Sequence, residues 1–176
     1  MAQGSRATAV FAGGCFWCIE HAFSGLDGVI SAVPGYTGGA REDPTYAQVA
    51  QGTTGHREAV LVTYDPSVLS YDDLLEVFWR NIDPTDPDGQ FADRGSQYTT
   101  AIFVASENER LRAEASKKAL ADSRRFEKPI VTPILPAGRF WIAEDEHHDY
   151  AKNHPFQYQA YASGSGRAAF CKRVWR

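Results

Sequence analysis

Apolar and polar positions change their spacing several times along the chain, and each change marks an element. Residues 8–12 (TAVFA) form a short apolar run of the kind a buried strand uses, stopped by Gly13-Gly14. Phe16, Ile19 and Phe23 then recur at helical spacing, with Glu20, His21 and Ser24 on other faces and Gly25 as the stop. Residues 29–39 (VISAVPGYTGG) read as a strand entering a Gly-rich turn, and residues 41–56 as irregular chain with one helical turn. EAVLVTY at 58–64 is apolar enough for a central strand, ended by Asp65-Pro66. YDDLLEVFWRNI at 71–82 predicts an amphipathic helix with acids in its first turn. Residues 83–98 are rich in Pro, Gly and Asp and lack periodicity, which in a compact domain marks a functional or disordered loop. TTAIFVA at 99–105 predicts another strand, and Ser106 with Glu109 has capping-box spacing at the head of a helix over 107–123. PIVTPIL at 129–135 suits an edge strand, because Pro133 lacks an amide hydrogen.

These elements predict an α+β fold, a two-layer α/β sandwich with extensive loops. The tail from Phe140 is aromatic-rich, and its small residues (ASGSGRAAF, 162–170) predict a flexible end from about residue 160. At 176 residues the chain fits one catalytic domain, 1–176, that needs no disulfide staples. A net charge of −4 without a basic run speaks against nucleic acid and anionic membranes as partners. No apolar run approaches a membrane span, and the first fourteen residues lack the apolar core of a secretory signal. Three cysteines do not make a secreted disulfide framework, so a cytoplasmic setting is expected, with a monomer as the default.

Two of the three cysteines lie in FAGGCFWCIE, residues 11–20. They could be a redox pair, half of a metal site or core filler. A cysteine placed after a strand and two glycines lies near a helix N-terminus, where the dipole favours a thiolate and lowers the thiol pKa. The glycines permit a sharp turn and leave room beside the sulfur, and Phe16 and Trp17 offer an apolar wall. Cys18 falls on the same helix face as Cys15, at roughly 5–6 Å between Cβ atoms in a regular helix. That exceeds the roughly 3.5–4.5 Å of a disulfide, so bridging needs Cys15 at the very start of the helix. A zinc site needs four ligands, and beyond this pair only Cys171 and five scattered histidines remain, so no metal is expected.

Several stretches taken together resemble one family, the A-type peptide methionine sulfoxide reductases, which reduce the S-epimer of methionine sulfoxide. They are GCFW at 14–17, GYTGG at 35–39, DPTY at 43–46 and GTTGHREAV at 52–60. YDP at 64–66, DRGSQYTTAIF at 93–103 and AEDEHHDY at 143–150 continue in the same order, so that the resemblance runs to about Tyr158. The resemblance implies a two-layer α/β core of ferredoxin-like type, a mixed sheet with helices on one side. It implies Cys15 as nucleophile, Glu58 as proton donor, Tyr46 and Tyr98 as donors to the sulfoxide oxygen and Asp93 as a further carboxylate. It also implies Phe16 and Trp17 as the methyl pocket. No cofactor is implied; reducing equivalents come from thioredoxin or a similar dithiol.

The chemistry suits that set. A sulfoxide has an electrophilic sulfur and a poor leaving oxygen, so reduction needs a soft nucleophile on sulfur and proton donors on oxygen. Glu58, at the head of an apolar strand, can be kept protonated by burial. The sulfenic acid then formed on Cys15 condenses with a second thiol. Many family members carry glycine at the position of Cys18 and resolve from the C-terminal tail; a CFWC subgroup also exists. Cys18 is expected to attack first, with Cys171 either accepting the disulfide or idle. His148 stands where the family usually has glutamine. His56 is read as a loop brace or an acting residue, and His147, His148 and His154 as surface or supporting residues. Rival readings are a thioredoxin-like CxxC disulfide oxidoreductase, a cysteine hydrolase with His56 as base, and a non-catalytic module that binds oxidised methionine.

Overall fold

The computed structural model describes residues 4–176. Its frame is a β-α-β-β-α-β unit: β1 (Ala7–Gly13), α1 (Phe16–Ser24), β2 (Val29–Thr37), β3 (Arg57–Tyr64), α3 (Tyr71–Trp79) and β6 (Thr100–Val104). A short α2 (Tyr46–Ala50) sits between β2 and β3, and a two-residue hairpin pair, β4 (Gly89–Gln90) and β5 (Asp93–Arg94), interrupts the loop before β6. After β6 come α4 (Glu107–Asp122), β7 (Ile134–Pro136), β8 (Trp141–Ile142), α5 (Tyr150–Asn153), α6 (Pro155–Ser165) and α7 (Arg167–Val174). The main sheet has the order β7-β6-β1-β3-β2-β8, antiparallel throughout except for the parallel β6–β7 pair. The inner four strands are the ferredoxin-like arrangement expected above. PIVTPIL does supply an edge strand, and the opposite edge is the short β8.

Strand alternation decides which residues meet the helices. Phe11 on β1, Val60 and Val62 on β3 and Ile102 on β6 share one cluster with Ile19 and Phe23 of α1 and Leu74, Leu75 and Phe78 of α3. Phe11 lies at its centre, with ring centroids 5.3 Å from Phe23 and 5.0 Å from Phe78. Each fully buried side chain of this kind contributes about 1.5–3 kcal/mol. Ala12, Ala59, Ala101 and Phe103 face the other way and make a thinner cluster with Leu135 and Phe140. Glu58 precedes Val60 by two residues, so the pleat that buries the valine carries the carboxyl onto the helix side as well.

Caps set the helix starts. Ser70 accepts from the Asp73 amide at 3.0 Å while Asp73 accepts from the Ser70 amide at 2.9 Å, a reciprocal box that begins α3. At α4, Ser106 accepts from the Glu109 amide at 3.2 Å, but the Glu109 carboxylate reaches the Ala105 amide instead of closing the box. The aperiodic stretch 83–98 is held by its own polar groups. Buried Gln90 accepts from the Asp83 amide at 2.8 Å and donates to the Asp83 and Gly89 carbonyls at 2.7 and 2.8 Å.

The stretch after residue 160 falls within two helices. Gly166 adopts φ +92 and joins α6 to α7, so the small residues that suggested mobility form a helix-to-helix joint. Tyr158 and Tyr161 of α6 turn towards α1: Tyr158 lies 5.0 Å from His21 and Tyr161 5.9 Å from Trp17 between ring centroids. Arg167, the first residue of α7, is buried.

Candidate active site

The turn between β1 and α1 places Cys15, the expected nucleophile. Gly14 has φ +85, and a Cβ there would lie 2.6 Å from the Cβ of Gln90, so only glycine fits. Cys15 follows as the N-cap of α1, 6 % exposed, with its carbonyl accepting from the Cys18 amide at 3.2 Å. The next amide, Phe16 N–H, donates to Glu58 Oε1 at 3.1 Å. The start of α1 is thereby tied to β3, and the carboxyl stands beside the residue that follows the thiol. Glu58 is 2 % exposed. Burial raises its pKa to about 8, helped by Asp93 and opposed by the Phe16 amide, so the group is protonated at neutral pH.

The sequence led to a depressed pKa at Cys15, and the structure reverses that. Burial, the Cys18 sulfur, Glu58 and Asp93 all push Cys15 upward, outweighing the single helix end. Cys18 is the member that is lowered, to about 7, first by its hydrogen bond with Cys15 and also by Arg167 and Tyr158, against burial. The resting pair therefore keeps its proton on Cys15 and favours negative charge on Cys18.

The phenols expected around the oxygen are present at this end of the sheet. Tyr46 opens α2, and burial with the nearby Glu58 raises its pKa to about 12, while Tyr98 interacts with its hydroxyl. Tyr98 is raised for the same two leading reasons, so both hydroxyls keep their protons and can donate. Asp93 is raised by burial against the pull of Arg167, and accepts from the Tyr161 hydroxyl. Phe16 and Trp17 line one side. Trp17 stacks on Tyr150 at 3.8 Å and 8°, and Phe16 lies 6.3 Å from Tyr46 and 5.2 Å from His147 between centroids. Cys15, Phe16, Glu58, Tyr46, Tyr98 and Asp93 are thus linked in one cluster, with Cys18 beside it. Cys171, on α7, is half-buried and raised mainly by burial.

Several contributors were not assigned roles from the sequence. His147 is buried: its Nδ1 accepts from Trp17 Nε1 at 3.2 Å, and its ring lies 4.3 Å from that of Tyr46. Of the two readings given above it takes the supporting one, bracing the aromatic wall, whereas His154 is exposed and His148 binds the Ala143 carbonyl at 2.8 Å. Glu144 accepts from the Tyr36 hydroxyl and from the Tyr46 amide, both at 2.9 Å. Glu144, Glu146 and His147 bring three ligand-type atoms within 4.8 Å of one another, but the Glu144 oxygens and His147 Nδ1 already serve Tyr36, Tyr46 and Trp17. Their signal was the block AEDEHHDY, of which only the histidines were read above, as surface or supporting residues; that of Arg167 was a lone cation inside a run of small residues. His56 is a brace: Nδ1 accepts from the Gly39 amide at 3.1 Å, so Nε2 carries the proton and donates to the Arg41 carbonyl at 2.6 Å. It is not free to serve a cysteine hydrolase as base.

The sequence model of the family described as peptide methionine sulfoxide reductase matches residues 7–176, so the likeness continues past Tyr158 to the end of the chain. Relatives named peptide methionine sulfoxide reductase MsrA include one from Bacillus licheniformis, 52% identical over 170 residues, covering 97% of this chain and 94% of the relative. One from Bacillus subtilis is 53% identical over 170 residues, covering 97% and 96%. Among solved structures, Mxr1 of Saccharomyces cerevisiae in reduced form superposes with TM-score 0.81 at 29% identity, over 86% of this chain and 87% of that one. Methionine sulfoxide reductase A of Corynebacterium diphtheriae gives 0.77 at 33%, over 88% and 77%. Mxr1 has also been solved in complex with Trx2. With this match along nearly its whole length, the chain belongs to the peptide methionine sulfoxide reductase family, in its A type, and is an oxidoreductase that reduces methionine sulfoxide.

Proposed function

We propose that Cys15 takes the oxygen of methionine-S-sulfoxide, free or within proteins, while Glu58 supplies the proton. The Phe16 N–H to Glu58 Oε1 bond carries this reading, because it fixes a neutral acid beside the nucleophile. Glu58 protonates the sulfoxide oxygen as Tyr46 and Tyr98 donate to it, in the manner of an oxyanion hole. The Cys15 sulfur attacks the activated sulfur, its own proton passes to the Glu58 carboxylate, and the S–O bond of the substrate breaks as hydroxyl moves to Cys15. Methionine leaves, and Glu58 is protonated again. With oxygen, methyl and attacking sulfur each assigned a place, a site of this kind accepts one epimer and rejects its mirror arrangement at sulfur.

Cys18 then attacks the sulfenic sulfur, an S–S bond forms, and the hydroxyl departs as water. Its proximity and lowered pKa support it as first resolver. Cys171 is either a second acceptor by exchange or idle. A dithiol protein of the thioredoxin kind reduces the bond, in keeping with the Trx2 complex of the yeast relative. No helix among the described residues is long and apolar enough to cross a membrane. Three free cysteines suit the reducing cytoplasm, and one chain of 176 residues carries the whole site as a monomer.

The direct test is an S-sulfoxide methionine peptide with dithiothreitol, followed by mass for the loss of one oxygen. Equal use of both epimers would refute the geometry. Peptide mapping after one turnover without reductant should find Cys15 bonded to Cys18; a dominant Cys15–Cys171 bridge would reassign the resolver. A rival CxxC oxidoreductase would exchange disulfides without consuming sulfoxide and has no use for the Glu58, Tyr46 and Tyr98 cluster.

A further inference from the structure

Arg167 is 6 % exposed, and its charged head is built into the backbone that leads to the nucleophile. Nη2 donates to the Gly13 carbonyl at 2.9 Å and Nη1 to the Asn81 carbonyl at 2.7 Å. A Cβ on Gly14 would stand 2.9 Å from Nη2, so the guanidinium lies against the residue before Cys15. Its carbon sits 4.9 Å from the Phe91 ring centroid. Nε is buried without an acceptor, and no carboxylate forms an ion pair with Arg167 among the described residues. A guanidinium does not shed its proton, and a buried cation requires compensating negative charge. Two neutral carbonyls are a partial answer. Asp93, which this cation pulls down, and the Cys18 sulfur both lie within its field, and an anion formed on that sulfur would add to the compensation.

We propose that Arg167 is a positioning residue for the resolving step, its fixed cation holding Cys18 as the thiolate that attacks the oxidised Cys15 while its carbonyl bonds lock α7 against the Gly13-Gly14 turn. The proposal rests on Cys18 being the first resolver. In the step itself, the Cys18 thiolate displaces hydroxide from the Cys15 sulfenic sulfur. The S–S bond forms as the S–O bond breaks, and the hydroxide takes up a proton to leave as water. The charged and titratable groups facing Cys18 are Cys15 before α1, Glu58 on β3, Asp93 on β5, Tyr158 on α6 and Cys171 with Arg167 on α7. Arg167 is the one cation among these six.

The test uses the full chain with Arg167→Met and Arg167→Lys. Single-turnover methionine release without reductant reads the first half-reaction, and loss of free thiol reads resolution. Alkylation of Cys18 across pH, assigned by fragment mass, reads its thiolate. In the Met variant the burst should stay at one methionine per chain, resolution at pH 7 should slow about tenfold, and the Cys18 alkylation profile should move up by about one pH unit. The Lys variant, which keeps the charge with one carbonyl bond fewer, should stay within about twofold of the parent in all three. Slower resolution with an unmoved Cys18 profile would overturn the proposal, since it would mark a structural strut. So would a Lys variant as slow as the Met variant, or loss of the burst in both. A Cys15–Cys171 bridge in the parent would instead fail the underlying assignment of Cys18, and peptide mapping separates that result from failure of Arg167.

Discussion

Tyr36 stands directly across the β2–β3 ladder from Glu58, and its hydroxyl bonds Glu144, which also accepts the Tyr46 amide. Glu58, the proposed acid, therefore has a fully buried aromatic neighbour whose polar end leads to the helix that carries Tyr46. Glu144→Gln should weaken both bonds while keeping the shape, and Tyr36→Phe should remove one. Leaving the buried Tyr36 hydroxyl poorly matched, as in Glu144→Gln, costs about 1–3 kcal/mol, readable by denaturant unfolding, whereas Tyr36→Phe frees only the exposed Glu144 carboxylate to water and should cost less. In the Glu144 variant methionine release should also slow, because α2 loses its anchor at Tyr46. Stability loss with full activity in Glu144→Gln would show that Tyr46 needs no such anchor.

Replacing Glu58, the proposed proton donor, has a definite kinetic signature. Glu58→Gln keeps the volume and can still accept from Phe16 N–H, but it cannot protonate oxygen. Methionine release in a single turnover should fall by about 10²–10⁴. Thiol–disulfide exchange with dithiothreitol, which needs no such proton, should be little changed. Parent-level release in the Gln variant would remove Glu58 from the reaction.

The same substitution tests burial of the carboxyl through pH. In the unfolded chain a glutamate titrates near 4.3, whereas the folded value is about 8. The neutral carboxyl thus contributes its stability fully below the unfolded value, and the contribution is lost as pH rises through the folded one. Relative to the parent, Glu58→Gln should become steadily more stable from about pH 4.5 to 8, by up to ~1.4 kcal/mol per unit, and level off above. Taking the difference between the two proteins cancels Glu20, raised by burial to about 7, and His147, lowered by burial. A flat difference would mean that Glu58 is ionised in the fold.

Gly14→Ala tests the nucleophile turn. The left-handed φ of +85 and the 2.6 Å approach to Gln90 act together. A non-glycine residue held in that region costs about 1–3 kcal/mol before any clash. Thermal unfolding should come earlier and methionine release should fall further than stability alone explains, since Cys15 and the Phe16 amide shift with the turn. An alanine variant of normal activity would show that the turn tolerates rearrangement.

Much of this was legible in residue order. The short apolar runs placed β1, β3 and β6, the 3.6-residue spacing placed α1 and α3, and Gly-Gly-Cys before Phe16 placed a thiol at a helix start, because each depends on neighbours in the chain. Motif order added Glu58, Tyr46, Tyr98 and Asp93. What escaped were quantities set by contacts between distant segments. The proton balance of the cysteine pair is one: local helix geometry favours a Cys15 thiolate, but burial and the nearby Cys18, Glu58 and Asp93 reverse it. The placement of the C-terminal helices is another. Nothing local to the run SGSGR shows that Tyr158, Tyr161 and Arg167 lie against α1, β5 and the Gly13-Gly14 turn. The sequence by itself determined the elements, the Cys-x-x-Cys pair at a helix start and the family, since these follow from local spacing and ordered motifs. Only the tertiary structure decided which of the two sulfurs favours charge and what Arg167 faces, because desolvation and charge pairing depend on groups that lie far apart in the chain.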